Sequence, residues 1–181
     1  MHLFFHLLKR LVRIGLGRTH AQRADLPLTD RQYQSVFLRH LDCGSCNGCE
    51  LELTALGNPI YDMARFGLSF VASPRHADVL IMTGPFTRNL EAAALLTFAA
   101  MSEPRQIVAI GDCAVDGGVF KLSYAVTSRP ACIEQAIVRR VPGCPPTPET
   151  ILRVLADLPL TQVAPPKPAK RPFNPRAIFS G

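Results

Sequence analysis

Four cysteines in three short segments have the residue type and spacing of a metal-binding site. Cys46 and Cys49 form a Cys-x-x-Cys pair, and Cys113 and Cys144 follow singly, far along the chain. Each lies in a turn marked by glycine or proline, and two of the three turns follow a β-like apolar run. Thiolates gathered in this way are typical of an iron–sulfur cluster or a structural zinc ion.

The spacing of these cysteines argues against a redox dithiol, which would leave Cys113 and Cys144 without a role. Small zinc modules pair Cys-x-x-Cys with a second such pair or with two histidines, whereas here the partners are single cysteines after gaps of 63 and 30 residues. The bulk of a domain therefore folds around the site. The Cys144-Pro145 step also occurs in ferredoxin-type ligand motifs. A [4Fe–4S] cluster is favoured, and zinc stays open.

Glycines accompany all three cysteine turns, and they let backbone N–H groups approach sulfur closely. They are Gly44, Gly48, Gly111 and Gly143. Six cysteines in 181 residues do not indicate a disulfide scaffold, because a chain of this length builds a sufficient core without crosslinks.

Composition and charge divide the chain into three parts. Residues 1–40 hold seven Lys/Arg and two acids, and residues 165–181 hold four Lys/Arg and no acid, so the net charge of +6 resides in the two ends. A mildly acidic middle argues against a nucleic-acid-binding core. We predict a basic helix and linker over 1–34, an α/β domain over 35–158 and a basic Pro-rich tail over 159–181.

The first sixteen residues have the pattern of an amphipathic helix, with His, Lys and Arg on one stripe and Leu, Phe, Val and Ile on the other side. They do not match a secretory signal, because no positive region precedes the apolar run and no small-residue cleavage site follows it. They do not match a membrane span, because charges interrupt the apolar run too early. Contact with a membrane surface and docking on a partner subunit are both open, and disorder is a third, smaller alternative.

Strand-like and helix-like segments alternate through the middle of the chain. Predicted strands are Ser35–His40, Leu68–Ala72, Asp78–Thr83, Gln106–Ile110 and Ala136–Val141; predicted helices are Glu50–Leu56, Leu90–Met101 and Pro148–Leu158, the last with Thr147 as its N-cap. This alternation predicts a flavodoxin-like, three-layer α/β domain around a mostly parallel sheet. Ligands of such sheets gather beyond the carboxyl ends of the strands, where we expect the cysteine turns.

An ordered series of motifs gives the chain a family resemblance. It runs Cys-Asn-Gly-Cys-Glu-Leu-Glu at 46–52, Ala-Arg-Phe-Gly at 64–67, Ser-Pro-Arg-His-Ala-Asp at 73–78, Thr-Gly-Pro at 83–85, Gly-Asp-Cys-Ala at 111–114 and Pro-Gly-Cys-Pro-Pro at 142–146. The series resembles the small, electron-transferring subunit of energy-converting membrane-bound [NiFe] hydrogenases of the formate hydrogenlyase and hydrogenase-4 type. The same superfamily contains the 20 kDa cluster-bearing subunit of respiratory complex I.

The resemblance implies one proximal-type [4Fe–4S] cluster with Cys46, Cys49, Cys113 and Cys144 as ligands, and Cys43 as an alternative first ligand. Complex I members usually carry adjacent cysteines at the first position, so the Asn-Gly spacer favours the hydrogenase branch. No residue of this chain is expected to be catalytic, because nickel and iron would belong to a partner.

The role implied is electron relay between a ferredoxin-like iron–sulfur subunit and a large hydrogenase-like or quinone-site subunit, beside membrane subunits on the cytoplasmic side of the cell membrane. The alternatives are the cluster N2-type subunit of a complex I-like quinone oxidoreductase, a structural zinc interaction module and a non-redox scaffold.

Other polar residues receive smaller roles. Glu50 and Glu52 either assist proton movement or favour a helix N-terminus. Arg75 and His76 either contact the cluster surroundings or a large subunit, or form a turn stabilised by Asp78. Three more are expected to be structural: Asp112 and Asp116 are expected to shape loops, and His40 is expected to be a strand residue. Cys132 is expected to be a buried free cysteine.

Overall fold

A computed structural model describes residues 35–158 of the chain. The predicted N-terminal helix and linker and the Pro-rich tail lie outside these described residues. The division of the chain into three parts stays a prediction.

Five parallel strands form a single sheet in the described residues. They are β1 (Val36–Asp42), β2 (Leu68–Phe70), β3 (Val79–Thr83), β4 (Gln106–Ile110) and β5 (Ile137–Val141). Their spatial order is β2-β1-β3-β4-β5, which is the flavodoxin-like order. Every residue of β3 and β4 is buried, so these apolar strands lie at the centre with both faces covered. The predicted flavodoxin-like fold is confirmed.

Helices cover both faces of this sheet. In chain order they are α1 (Gly48–Ala55), α2 (Arg88–Ala100), α3 (Asp112–Asp116), α4 (Ala131–Ala136) and α5 (Pro148–Ala156). One core lies between the sheet and helices α1 and α5, with Leu53 and Leu152 among its buried residues. The other lies under α2 and α4, with Phe98 and Ile133. The domain therefore has three layers, as the sequence predicts.

Several predicted element boundaries differ from the structure. The strand predicted over Ser35–His40 runs on to Asp42, and the strand predicted over Leu68–Ala72 ends at Phe70. The predicted cap of α5 is confirmed, since the Thr147 side chain accepts a hydrogen bond from the Thr150 N–H at 3.3 Å.

Two short helices, α3 and α4, are absent from the sequence prediction. Each has at most six residues, which is too short for a periodic apolar pattern to identify. Glycines at 111 and 117 bound α3, and Pro130 precedes α4. Within residues 35–158, no helix is long and apolar enough to cross a membrane.

Candidate metal centre

The carboxyl edge of the sheet brings the three cysteine segments together. Cys46 and Cys49 lie where the chain passes from β1 into α1, and Cys49 belongs to the first turn of that helix. Cys113 lies in α3, directly after β4, and Cys144 follows β5. Because β1, β4 and β5 are parallel, all three turns emerge at the same edge.

Backbone and side-chain hydrogen bonds join the turn of Cys113 to that of Cys144. The N–H of Gly111 donates to the Val141 carbonyl at 2.8 Å, and the N–H of Asp112 donates to the Gly143 carbonyl at 2.9 Å. In return, the Gly143 N–H donates to Asp112 Oδ1 at 2.7 Å. Asp112 thus shapes a loop, as predicted, and it fixes the spacing of these two cysteine turns.

The turn that leads to Cys46 is anchored to β1 and β3. Asp42 Oδ1 accepts the N–H groups of Gly44 and Ser45, both at 2.7 Å, and the Cys43 N–H donates to the Thr83 carbonyl at 3.0 Å. The Cys43 carbonyl accepts the Thr87 hydroxyl at 2.7 Å. The backbone of this turn is therefore held before the Cys-x-x-Cys pair begins.

The sulfur atoms lie against the glycines of these turns. A Cβ atom added at Gly111 would lie 2.5 Å from Cys49 Sγ, so the thiol of the first segment rests on the backbone of the second. Gly111 has a φ of +89°, which L-residues rarely adopt. A Cβ at Gly48 would lie 3.6 Å from Cys46 Sγ and 3.9 Å from Pro145 Cδ, which brings the third segment to the same place.

The thiols also act on one another electrostatically. Burial raises the pKa of Cys49 to about 11, with Glu50 and then the thiols of Cys113, Cys46 and Cys144 adding to the shift. Burial likewise raises the pKa of Cys113, again with contributions from Cys144 and Cys46. The four candidate ligands therefore lie in one region at the carboxyl edge of the sheet. A bound cation would reverse this preference for the protonated forms.

Cys43 lies apart from this group. Its side chain is fully buried in the core under α2 and α4. Its pKa is raised to about 12, chiefly by burial and also by the charge of Asp42, while the charge of Arg129 acts in the opposite direction. Cys132 packs against the same core and is half-buried.

The donor set consists of four cysteine thiols, which suit an iron–sulfur cluster or a structural zinc ion. Within the described residues, no group of three or more His, Cys, Asp or Glu side chains is placed so that it could hold a metal ion. The choice between the two kinds of site stays a prediction.

A hydrogen-bonded trio lies beside the site, and the sequence does not reveal it as a unit. The hydroxyl of Thr83 donates to Glu50 Oε1. His40 Nε2 lies 2.8 Å from Thr83 Oγ1 and 3.4 Å from Glu50 Oε1. Burial lowers the pKa of His40, although Glu50 and Asp42 act in the opposite direction. Glu50 Oε2 is buried without a hydrogen-bond partner. His40 is confirmed as a strand residue. The only sequence feature that could have pointed to Thr83 as a member of this trio is its position at the end of β3.

Of the alternatives for Arg75 and His76, a place in the cluster surroundings is wrong, and contact with a large subunit stays a prediction. They form a short 3₁₀ helix, Pro74–His76, directly before β3, at the edge of the sheet opposite the cysteines. Ser73 caps this turn by accepting the Arg75 N–H at 3.3 Å, whereas Asp78 Oδ2 accepts the N–H of Phe37. The loop role of Asp116 is confirmed, since its Oδ1 accepts the Gly118 N–H at 3.0 Å.

Solved structures share this fold. The chain is 25% identical to a chain of the membrane-bound sulfane sulfur reductase, an archaeal respiratory membrane complex, with a TM-score of 0.55 over 68% of this chain and 69% of that chain. A chain of an NAD⁺-reducing [NiFe]-hydrogenase superposes with a TM-score of 0.51 at 18% identity, over 75% of this chain and 96% of that one. The likeness to the second structure concerns the fold alone.

Sequence comparison places the chain among subunits of oxidoreductases. Residues 46–158 match the family described as NADH ubiquinone oxidoreductase, 20 Kd subunit, and the chain belongs to this family. It is 40% identical over 119 residues to formate hydrogenlyase subunit 7 of Escherichia coli, which is 66% of this chain and 46% of that protein. It is 42% identical over 119 residues to the probable membrane-bound hydrogenase subunit mbhJ of Pyrococcus furiosus, covering 66% of this chain and 71% of that one.

A third relative carries a different name. It is a subunit of the NADH-quinone oxidoreductase of Carboxydothermus hydrogenoformans and is 40% identical over 105 residues, which is 58% of this chain and 63% of that protein. The chain thus spans about half the length of the Escherichia coli relative and somewhat less than two thirds of this one. The relatives include both hydrogenase and quinone oxidoreductase subunits.

Proposed function

We propose that this chain is the electron-transfer subunit of a membrane-associated, hydrogenase-like complex. It would hold one [4Fe–4S] cluster through Cys46, Cys49, Cys113 and Cys144 and relay electrons between a ferredoxin-like iron–sulfur subunit and a large catalytic subunit. The meeting of four thiols from three parallel-strand turns at one edge of the sheet carries this proposal. When bound, the cluster supplies a one-electron carrier whose potential depends on its surroundings.

Several residues of the chain position the four proposed ligands. Gly111 leaves the space that the Cys49 sulfur occupies, and Asp112 holds the Cys113 and Cys144 turns together. The raised pKa values of Cys49 and Cys113 mean that these thiols are protonated at neutral pH before metal binds. Loading of the site must therefore release protons.

An exposed apolar loop directly after α3 supports a partner subunit on this side. The side chains of Val119, Leu122 and Tyr124 are 83%, 98% and 89% exposed. Large exposed apolar side chains that lie close together mark interaction surfaces. Because the loop follows the Cys113 helix, a partner bound there would lie beside the cluster, as electron transfer between subunits requires.

The names of the relatives support a membrane complex. One is called a membrane-bound hydrogenase subunit, and one solved structure is a respiratory membrane complex. We propose peripheral attachment on the cytoplasmic side, with membrane subunits as neighbours and with residues 1–16 as a contact to the membrane or to a partner. The likeness to a subunit of NADH-quinone oxidoreductase keeps a second candidate, an N2-type subunit whose large partner offers a quinone pocket.

The test is chemical analysis of the intact complex purified without oxygen. We expect about four iron and four sulfide per copy of this chain beyond those of the other subunits, and an EPR signal after reduction with dithionite. One zinc per chain with no added sulfide would contradict the proposal and support an interaction module. An assembled complex without a cluster signal from this chain would support a scaffold instead.

The sequence of the large partner separates the two redox candidates. Two Cys-x-x-Cys pairs in that subunit would supply thiolates for a nickel–iron centre and support the hydrogenase-like complex. Their absence would support the quinone-type complex.

A further inference from the structure

We propose that Arg129 is a positioning residue for Cys113, and that its charge makes the potential of the cluster less negative. This inference rests on the proposed function, because it concerns the cluster that Cys113 would hold. Arg129 lies 16 residues after Cys113, in the segment that leads into α4, and none of the family motifs contains it.

The guanidinium of Arg129 hydrogen-bonds to the carboxyl end of α3, the helix that carries Cys113. Its Nη1 donates to the Ala114 carbonyl, and its Nη2 donates to the Val115 carbonyl at 2.9 Å. The last carbonyls of a helix have no partner within the helix, and a cation there also matches the helix dipole. Arg129 therefore satisfies two acceptors and completes α3 at its carboxyl end.

This support matters because α3 contains only five residues. A helix of one to two turns does not form on its own, since nucleation costs more than the few hydrogen bonds return. Glycines bound it on both sides, so neither neighbour restrains the backbone. The clamp from Arg129 is a tertiary contact that fixes how α3, and with it the Cys113 sulfur, sits on the sheet.

The third donor of Arg129 fixes the guanidinium itself. Nε donates to Glu134 Oε2 at 2.7 Å, and Glu134 Oε1 accepts from Arg140 Nη2. The three charged groups carry a net charge of +1 if each is ionised. Burial raises the pKa of Glu134, but hydrogen bonding and charge from Arg129 and Arg140 outweigh it and lower that pKa overall, so Glu134 is ionised at neutral pH.

Arg129 and one of the four candidate ligands, Cys113, line the same cavity. The Arg129 side chain is 15% exposed, and it lines this cavity of about 470 Å³ together with Cys113, Asp116 and Lys121. Reduction adds a negative charge to a cluster, and a partly buried cation nearby stabilises that form.

The network offers three variants that change one charge each. Arg129→Gln removes the cation that grips α3, Glu134→Gln removes the shared anion, and Arg140→Gln removes the outer cation. Arg140 pairs with the same carboxylate, but its side chain is 42% exposed and has no hydrogen bond to α3. Arg140→Gln is therefore the matched control for Arg129→Gln.

The measurement is a redox titration of the intact complex, followed by EPR of the cluster. We expect Arg129→Gln to lower the reduction equilibrium constant about tenfold, a shift of about 59 mV to more negative potential for one electron. Glu134→Gln should shift the potential in the opposite direction, and Arg140→Gln should shift it by less than half as much as Arg129→Gln. Opposite signs cannot arise from a general loosening of the fold.

Equal shifts for Arg129→Gln and Arg140→Gln, or no shift for Arg129→Gln, would overturn the inference. If Arg129→Gln does not assemble, Arg129→Lys keeps the charge and loses the fork of donors. The Arg129→Lys complex should retain the wild-type potential and have a lower melting temperature. A change of tenfold or more in its reduction equilibrium constant would also refute the role of charge. A wild-type complex without a cluster signal would instead refute the proposed function.

Discussion

Replacing Gly111 with alanine gives the sharpest test of how the candidate metal centre is built. The new Cβ would lie 2.5 Å from Cys49 Sγ, a separation that real Cβ atoms essentially never show. The residue would also have to keep a φ of +89° with a ψ of 151°, a region that is nearly restricted to glycine. Both effects act at the same point.

The expected loss can be estimated from these two effects. A backbone held in a sparsely populated region costs about 1–3 kcal/mol. Forcing an extra methyl group into a packed site costs about 1–3 kcal/mol more. We therefore expect Gly111→Ala to lower the free energy of unfolding by roughly 2–6 kcal/mol and to displace the Cys49 thiol, with loss of most of the cluster.

The chain supplies a control at the same site. Gly48 is also next to a cysteine, but a Cβ there would meet Cys46 Sγ at 3.6 Å, an ordinary contact, and its φ is not positive. Gly48→Ala should keep both stability and cluster. The assays are chemical denaturation and iron and sulfide content of the purified complex. Equal cluster content in the two variants would show that the close approach of Cys49 to the Gly111 backbone is not required.

Four further outcomes are expected. Cys46→Ser should abolish or severely perturb the cluster signal in EPR, while Cys43→Ser should leave it; the reverse result would mean that the first ligand is Cys43. A pKa of about 12 leaves about a thousandfold less thiolate than the ordinary value of 9.0, so Cys43 should resist alkylation at pH 8 until the protein unfolds. Peptide mass spectrometry would measure this labelling, and rapid labelling of the folded protein would contradict the burial of Cys43. Asp112→Ala should lower the free energy of unfolding, measured by denaturation, by about 1–3 kcal/mol, because the Gly143 N–H loses its acceptor. Asp112→Asn should retain most of that stability. Equal losses in the two variants would refute the role of this hydrogen bond. Leu122→Lys should leave the melting temperature unchanged but weaken assembly in size-exclusion chromatography, and normal assembly would remove the support that this loop gives to a partner surface.

The pH dependence attached to Cys43 has a definite sign. Its folded pKa is raised from 9.0 to about 12, so the buried neutral thiol favours the folded state below pH 9. Its contribution is lost as pH rises from 9 towards 12, because the unfolded chain then ionises while the folded chain does not.

The sequence predicts the elements whose patterns are long or strongly apolar. The strand Gln106–Ile110 is predicted with the bounds that the structure has, and Thr147 is identified correctly as a cap. Parallel strands with cysteines after them imply that the turns meet at one edge, so the grouping of the four thiols follows from topology. Their identity as ligands stays a prediction.

What the sequence misses depends on contacts between distant residues. The helices α3 and α4 are too short to have a period, and α3 is held by Arg129 from a segment with no recognisable motif. The trio of His40, Glu50 and Thr83 arises because β1 and β3 are neighbours, which no local pattern shows. The motif around residues 75 and 76 does not indicate at which edge of the sheet these residues lie. That edge follows from the direction of β3, because the two residues come directly before this strand.

The wide separation of the cysteine turns has a consequence for biosynthesis. Cys46 leaves the ribosome about a hundred residues before Cys144, and β5 must join the sheet edge before its turn can reach the other two. Domains form as the chain is made, but contacts between distant segments come last because closing long loops costs entropy. The four cysteines therefore come together only in a finished domain. Insertion of the proposed cluster would require that completed domain, and a chain truncated before Cys144 would lack one of the four proposed ligands.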